Sequence, residues 1–456
     1  MDHFEYRDGR LFCEQIDLSE LAHRAGTPLY VYSAATLLLH YDRLAQAFAE
    51  LNPLICFSVK SCPNIHVLRL LASRGSGLDV VSGGELYRAR MARVPMDKVV
   101  YAGVGKTDDE IRDALGRLGD DRHDPSHVPD ADQPIGLFNI ESESEFQTLA
   151  SIARSLGAGT PEMASPEAAL RVNPDVDPKT HKYTSTGLKE TKFGVDLERA
   201  RAFFARFGRD RSARLTGLHL HLGSPITDPN VYVRALEKSL ALSDDLERDG
   251  FPICTLDIGG GFAADYTTGL APSFDQYARA IVPMLRERAA RGLRIILEPG
   301  RTICANAGVL LARVLYVKES GDRKFVVCDA GMHTLIRPAL YGAFHFIWPA
   351  AVGPDHEPTE RALRPNVQGT LEECDVVGPV CESGDFLAKD RPLPPVARGD
   401  LLTVFGAGAY GMSMASRYNS HPLPAEILVD GDQALVVRRR ESYEDLVMHE
   451  LEAEEL

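Results

Sequence analysis

The reactive side chains of this sequence stand at the ends of short apolar runs. Lys60 closes the run Leu54 to Val59. A lysine set against a buried strand can give up its proton and condense with an aldehyde as a Schiff base; a surface lysine after a strand is the plain alternative. Gly259, Gly260 and Gly261 follow the run Thr255 to Ile258. Consecutive glycines let the backbone approach an anion and turn several N–H groups toward it, although many such runs are only turns. Glu298-Pro299-Gly300-Arg301 ends another apolar run and sets a carboxylate beside a guanidinium. His219 and His221 share one face of a strand, a spacing that suits zinc as well as packing or stacking. No third ligand stands out nearby, and Ser224 just beyond them could donate to a phosphate. Arg337 with Tyr341, Cys381 with Glu382 and Asp385, and Tyr410 within Gly406 to Gly411 lie in later loops punctuated by glycine. Polar residues in such loops suggest a site, and each loop alone could equally be a turn.

These residues need a frame that gathers strand ends. Strand-like runs near residues 55, 79, 100, 137, 171, 218, 256 and 296 alternate with amphipathic helical stretches. Eight such strands over roughly 260 residues predict an α/β fold of the (β/α)8, TIM-like barrel type. Barrel chemistry sits at the C-terminal strand ends, and phosphate sites commonly follow the last two strands, where the glycine run and Glu298 fall. A doubly wound open sheet is the alternative, and the strand count favours the barrel. Residues 1–34 hold one strand candidate, Pro28 to Tyr32, and are expected to join a second domain. Residues 35–311 are assigned to the barrel, and 312–456, rich in strand-like runs, to a mainly β domain. Residues 116–135 read as a polar insertion whose histidines could bind metal, although a solvated loop is the favoured reading.

Composition narrows the partners. Lys and Arg total 50 against 65 Asp and Glu, a formal charge of −15. That argues against nucleic acid and anionic membranes, yet leaves room for a small anion held by a few placed cations. The eight cysteines are scattered without a C-x-x-C pair, so reduced thiols in a cytoplasmic protein are expected. No run reaches the roughly 18 apolar residues of a membrane span, and no secretory signal is expected from the first residues.

Taken together and in order, the segments resemble the alanine-racemase-like, fold-type III pyridoxal-phosphate decarboxylases. The resemblance runs from about Pro28 to about Val429 and rests on nine segments. They are FSVK at 57–60, DVVSGGE at 79–85, HKYTSTGLKETKFG at 181–194, HLGS at 221–224, GGG at 259–261, EPGR at 298–301, RPALY at 337–341, CESGD at 381–385 and GAGAYG at 406–411. The resemblance implies that Lys60 holds pyridoxal 5'-phosphate and that His221 stacks on its ring. It implies a phosphate cradle of Ser224, Gly259 to Gly261 and Tyr410, with Glu298 facing the ring nitrogen. Arg301, Arg337 and Tyr341 are then the clamp on a distal carboxylate. The resemblance further implies that Cys381 and Glu382 are contributed across a homodimer interface, so that the site is shared between subunits.

The residue types suit that chemistry. Decarboxylation leaves electrons on Cα for the conjugated ring to accept, and a carboxylate beside the ring nitrogen keeps it protonated, whereas an arginine would not. A thiol such as Cys381 can return a proton to Cα, and a guanidinium suits a carboxylate better than an ammonium does. A substrate with both a distal carboxylate and a distal ammonium fits Arg337, Tyr341 and Glu382, which points to the branch acting on meso-diaminopimelate in lysine biosynthesis. The alternatives are a relative acting on ornithine, lysine, arginine, a carboxylated polyamine or a carrier-bound amino acid, a non-catalytic cofactor binder, and a metal enzyme using His219 and His221. The sequence departs from the family pattern at Pro225, which removes a side chain and an N–H beside the phosphate loop, and in the length of the 116–135 insertion.

Overall fold

The computed structural model describes residues 2–116, 128–160, 163–177 and 192–452. Most of the 116–135 insertion and of the 181–194 segment lies outside them. The chain opens with a small antiparallel sheet, β1 (Phe4–Arg7), β2 (Arg10–Cys13) and β3 (Ile16–Asp17). Asp17 then caps α1 (Leu18–Ala25), its carboxylate accepting from Ser19 N at 2.7 Å and Glu20 N at 3.2 Å. β4 (Leu29–Ser33) and α2 (Ala34–Ala47) follow. Within residues 1–34 the sequence reading saw only β4. Strands of two to four residues carry too few alternations for a period to show.

The next elements alternate strictly in type at first. They are β5 (Leu54–Ser58), α3 (Ile65–Ser73), β6 (Gly77–Val80), α4 (Gly83–Met91), β7 (Val99–Tyr101), α5 (Asp108–Ala114), β8 (Leu137–Ile140) and α6 (Glu143–Ser155). Then come β9 (Glu167–Asn173), β10 (Val195–Asp196), α7 (Leu197–Phe207), β11 (Arg214–His219), α8 (Asn230–Arg248), β12 (Thr255–Asp257), α9 (Phe274–Ala290) and β13 (Arg294–Leu297). The strands pair in parallel in the order β5-β6-β7-β8-β9-β11-β12-β13, and β13 returns to β5. This is the expected closed (β/α)8 barrel, with β10 attached to β9 outside the ring. Ser82, Thr107, Ser142, Asp196 and Ser273 cap the helices that leave the C-terminal ends of the strands.

Side chains two residues apart on a strand point to the same face, so the barrel interior is stacked in layers. At the lower end Arg294 donates to Thr255 Oγ1 at 3.2 Å and pairs with Glu167 at 3.1 Å. Above lies an apolar layer of Cys56, Val100, Leu137, Ala169 and Ile296. One step further along the strands come Asp79, Asn139, Arg171, His219, Asp257 and Glu298, all buried. The apolar layer seals these polar groups from below.

The remaining elements are α10 (Arg301–Cys304), β14 (Gly308–Ser320), β15 (Arg323–Cys328), α11 (Arg337–Tyr341), β16 (Ile347–Pro349), β17 (Glu372–Val377), β18 (Phe386–Leu393), β19 (Leu401–Val404), β20 (Ala425–Asp430), β21 (Gln433–Arg438) and α12 (Tyr443–Val447). They build a mainly β sheet in the order β18-β17-β15-β14-β4-β20-β21, with β19 also on β14 and β16 on β19. β4 lies between β14 and β20, and Tyr32 Oη donates to Glu426 at 2.7 Å.

Two compact units result: residues Tyr41–Ala263 with Pro272–Gly300, and Met1–His40 with Ala264–Ala271 and Arg301–Leu456. The division differs from the boundaries at 34/35 and 311/312. Residues 264–271 are held in the β unit by Asn306 Nδ2 on the Asp265 carbonyl at 3.1 Å and by Thr268 N on the Arg361 carbonyl at 3.0 Å. The chain from Arg301 joins the same unit because β14 begins at Gly308, before the expected border. Among the described residues no helix is long and apolar enough to cross a membrane.

One buried cation ties the barrel loops together. Lys106 Nζ donates to the carbonyls of Gly103 and Asn139, both at 2.9 Å, and to Glu145 at 2.6 Å. Burial pushes the Glu145 carboxyl up, and Lys106 pulls it back. Removing one partner of a buried pair strands the other charge, at a cost of about 3–5 kcal/mol. Lys106→Met is therefore expected to lower barrel stability by about that amount in urea unfolding; a loss under about 1 kcal/mol, the range of an exposed pair, contradicts the assignment.

Candidate active site

Lys60 sits in a single turn directly after β5. Its Nζ lies 2.6 Å from Asp79 Oδ2, and Ser58 Oγ donates to the same oxygen at 2.5 Å. Asp79, on β6, is fully buried. Burial pushes its carboxyl up and the charge on Glu298 adds to this, while Lys60 pulls it down. A carboxylate so placed competes for the lysine proton. Glu85, one turn into α4, accepts from Val81 N at 2.8 Å. Burial raises its carboxyl to about 7, against the pull of Lys60.

Glu298 stands one residue past β13, beside β5 in the closed ring. Asn139 Nδ2 donates to Glu298 Oε1 at 3.2 Å and to Asp257 Oδ2 at 3.0 Å. Asp257 Oδ1 also accepts from Gly259 N at 2.9 Å, and His219 Nε2 lies 3.4 Å from Glu298 Oε2. Two buried carboxyls this close cannot both ionise. Burial pushes both upward. At Glu298 the neighbouring His219 and then Lys60 outweigh burial and hold the carboxyl below its usual range. At Asp257 burial and the charge on Glu298 hold it well above. The proton therefore rests on Asp257 and the negative charge on Glu298. Ligand-type atoms of His219, Asp257 and Glu298 lie within 4.8 Å of one another, so the partners absent beside His219 in sequence arrive from other strands. The Asn139 amide donating to both carboxyls makes this a hydrogen-bonded network.

His221, just past β11, is neutral: its surroundings desolvate it and lower its pKa to about 3, with Arg171 and Lys60 adding. Its Nδ1 faces Gly260 N at a long 3.4 Å. Arg171 on β9 pairs with Glu141 at 2.6 Å and lies 4.6 Å over the Phe193 ring. Gly194 N donates to the other oxygen of Glu141 at 2.7 Å. Phe193 and Gly194, the described end of the 181–194 segment, thus dock on the polar layer. Gly259 and Gly261 have φ of +69° and +100°, and a Cβ on Gly259, Gly260 or Gly261 would come within 2.4 Å of a carbonyl oxygen. Close packing demands this run of glycines, and Ser224 lies in the turn after His221.

In the β unit Arg301, Arg337 and Tyr410 gather with Tyr266. Arg301 donates to Tyr266 Oη at 3.1 Å and lies 4.9 Å over the Tyr410 ring; Arg337 lies 4.8 Å over the Tyr266 ring. Tyr266 is half-buried; desolvation raises its hydroxyl, yet Arg337 and then Arg301 outweigh this and lower it. Tyr341 ends α11 and is half-buried. Cys381 and Glu382 stand exposed on the turn between β17 and β18. Asp385 pins that turn, accepting from Met332 N and Val380 N, both at 2.6 Å, while Tyr418 Oη donates to Glu382 at 2.9 Å.

Sequence reasoning gave no role to Asp79, Asn139, Arg171, Asp257, Tyr266 or His345. Each of the first four lies on a barrel strand, and its inward placement becomes readable only once the inward face of that strand is known. Among the described residues Asp79 Oδ1, Asn139 Oδ1 and both ring nitrogens of His219 are buried without a well-formed hydrogen bond. Buried polar atoms rarely stay so, and these mark the end of the barrel that receives a polar ligand.

Residues 35–305 match the family model described as pyridoxal-dependent decarboxylase, pyridoxal binding domain. The chain is 44% identical over 447 residues to diaminopimelate decarboxylase of Pseudomonas aeruginosa, covering 98% of each chain. It is 41% identical to that of Aquifex aeolicus over 98% of this chain and 96% of the relative. Among solved structures it is similar to diaminopimelate decarboxylase from M. jannaschii in co-complex with L-lysine. That match has a TM-score of 0.86 and 34% identity over 99% of this chain and 98% of the other.

The proton on Asp257 has a measurable consequence. A carboxyl whose folded pKa is raised adds stability that is full below its unfolded pKa, about 3.9, and is lost as pH rises through the folded value. Asparagine mimics the protonated acid at every pH. Asp257→Asn is thus expected to match the wild type in acid and to gain melting temperature relative to it as pH rises above the carboxylate range. Parallel melting curves for the two proteins across that range would refute the placement of the proton.

Proposed function

The chain belongs to the diaminopimelate decarboxylases of the pyridoxal-dependent decarboxylase family, and on that premise we propose how its own side chains divide the work. It removes carbon dioxide from meso-diaminopimelate and yields L-lysine. Its cofactor is pyridoxal phosphate, which when bound draws off the electron pair left on Cα. Lys60 supplies the amine that holds the aldehyde, and Asp79 Oδ2, at 2.6 Å, takes the lysine proton. Glu298 holds a proton on the ring nitrogen, oriented by Asn139 and left ionised because Asp257 keeps the shared proton. His221 stacks as a neutral imidazole, which adds no charge beside the ring. Ser224, the Gly259–Gly261 backbone and Tyr410 receive the phosphate.

Substrate recognition falls to the other groups. Arg301, Arg337 and Tyr341 bind the distal carboxylate, and Glu382 the distal ammonium. Cys381 returns a proton to Cα. The exposure of Cys381 and Glu382 on one chain supports their serving the site of a second subunit, so the working form is a homodimer. Eight scattered cysteines with no C-x-x-C pair support a cytoplasmic location. The single observation that carries the mechanism is the Asn139–Asp257–Glu298–His219 layer, which keeps one negative charge fixed where a ring nitrogen needs it.

Carbon dioxide release from meso-diaminopimelate, with L-lysine, L-ornithine and L-arginine in parallel, tests the substrate: release from meso-diaminopimelate alone is expected. Lys60→Ala is expected to abolish both turnover and the visible absorbance of the loaded protein; full activity would sink the role of Lys60. Arg337→Ala is expected to raise KM with little change in kcat, the signature of lost uniform binding. Mixed subunits test the dimer. Inactive Lys60→Ala and inactive Cys381→Ala proteins, unfolded and refolded together, should regain activity through hybrids that hold one intact site. No recovery would assign Cys381 to the site of its own chain.

A further inference from the structure

Arg337 is a buried cation that no carboxylate among the described residues pairs with. Burying a charge without a counter-ion is costly unless something holds and orients it. Here the holder is His345, itself fully buried. His345 Nε2 lies 2.9 Å from a terminal guanidinium nitrogen of Arg337, and its Nδ1 lies 2.9 Å from the Phe405 carbonyl oxygen. A guanidinium only donates and a carbonyl only accepts. Nδ1 must therefore carry the ring proton, Nε2 must offer its lone pair, and the imidazole is neutral. Its surroundings enforce this: the Tyr266 ring meets it edge-on at 5.5 Å, and Arg391 donates to its carbonyl oxygen at 2.6 Å. Burial, then the neighbouring Arg337, keep its pKa down at about 3.

We infer that His345 is a positioning residue for the distal-carboxylate clamp: a neutral acceptor that aims Arg337 without cancelling its charge. The inference rests on the proposed role of Arg337. The guanidinium lies 4.8 Å over the Tyr266 ring and gives one N–H to His345. Two of its degrees of freedom are thereby fixed, and further N–H donors are left for a carboxylate. An aspartate or glutamate at this position would hold the arginine more strongly and consume the charge that the substrate must find.

The test compares two ligands that differ at the distal end. Meso-diaminopimelate carries the distal carboxylate, and L-lysine, the product, keeps it because the carboxylate lost is the one on the reacting carbon; cadaverine, which is L-lysine without its carboxylate, lacks it. His345→Phe keeps a ring but removes the acceptor. A lost hydrogen bond to a charged group corresponds to roughly a ten- to hundred-fold effect. His345→Phe is expected to raise the KM for meso-diaminopimelate by that factor, with kcat and the inhibition constant of cadaverine within about threefold. His345→Gln, which restores a neutral acceptor, is expected to recover most of the loss. If phenylalanine prevents folding, judged by melting and cofactor content, His345→Leu makes the same deletion. An unchanged KM, equal weakening of both ligands, or failure of glutamine to rescue would each overturn the inference. A wild-type protein inert toward meso-diaminopimelate would instead overturn the reading of Arg337 on which it rests.

Discussion

Asp257 and Glu298 face each other across one amide donor inside a sealed barrel, and there they can hold only one negative charge between them. Which of the two keeps it is decided by the neighbours. His219 and Lys60 lie on the side of Glu298, whereas Asp257 meets burial and the charge of Glu298 itself. The rest of the barrel serves this asymmetry. Ring closure between β13 and β5 brings Glu298 and Lys60 onto adjacent strands. The apolar layer of Cys56, Val100, Leu137, Ala169 and Ile296 lies beneath the charge, where the low dielectric makes small differences in placement decisive. Asn139 can reach both carboxyls because β8 stands across the barrel from β12 and β13.

Three further cations of the barrel meet carboxylates. Lys60 meets Asp79, Arg171 meets Glu141, and Lys106 meets Glu145, each at 2.6 Å. Two of these pairs do structural work. Lys106 and Glu145 tie strand ends together, and Arg171 with Glu141 anchors Phe193 and Gly194. The third differs in kind, because burial and the charge on Glu298 push the Asp79 carboxyl up while Lys60 pulls it down. A lysine that must act as an amine needs a partner of that sort; an exposed aspartate would leave it cationic.

Much of this was legible in the sequence, and the limits have physical causes. Lys60, His221, the glycine run and Glu298 could be found because each ends an apolar run, and barrels place chemistry there. Asp79, Asn139, Arg171 and Asp257 lie within or at the last residue of their strands. Their meaning depends on which face is inward and on which strands become neighbours, and one strand read alone supplies neither. Tyr266 was hidden differently: it belongs to residues 264–271, assigned to the barrel by position in the chain but held by the β unit through Asn306 and Arg361. His345 follows α11 in an irregular stretch where no period operates. The small N-terminal sheet was missed because its strands are too short to alternate, and residues 181–191, quoted for the family resemblance, lie outside the described structure.

Arg337 and Glu298 present the same problem with opposite signs and different solutions. A charge meant for a ligand must be held firmly in the empty protein without being satisfied there. Glu298 is held by an amide N–H donor and by a neighbour that keeps the shared proton, so its charge survives. Arg337 is held by the lone pair of an imidazole that its surroundings forbid from protonating, and by an aromatic face, so its charge survives as well. The amide of Asn139 and the imidazole of His345 are both neutral donors or acceptors, while His219 stands 3.4 Å from the other oxygen of Glu298. A charged partner would bind the side chain more tightly and for that reason would serve worse, since a ligand would have to break an ion pair before forming its own. The tautomer of His345 and the proton on Asp257 are thus two forms of one constraint: orientation is supplied by neutral hydrogen bonds, and full charge is reserved for what enters the site.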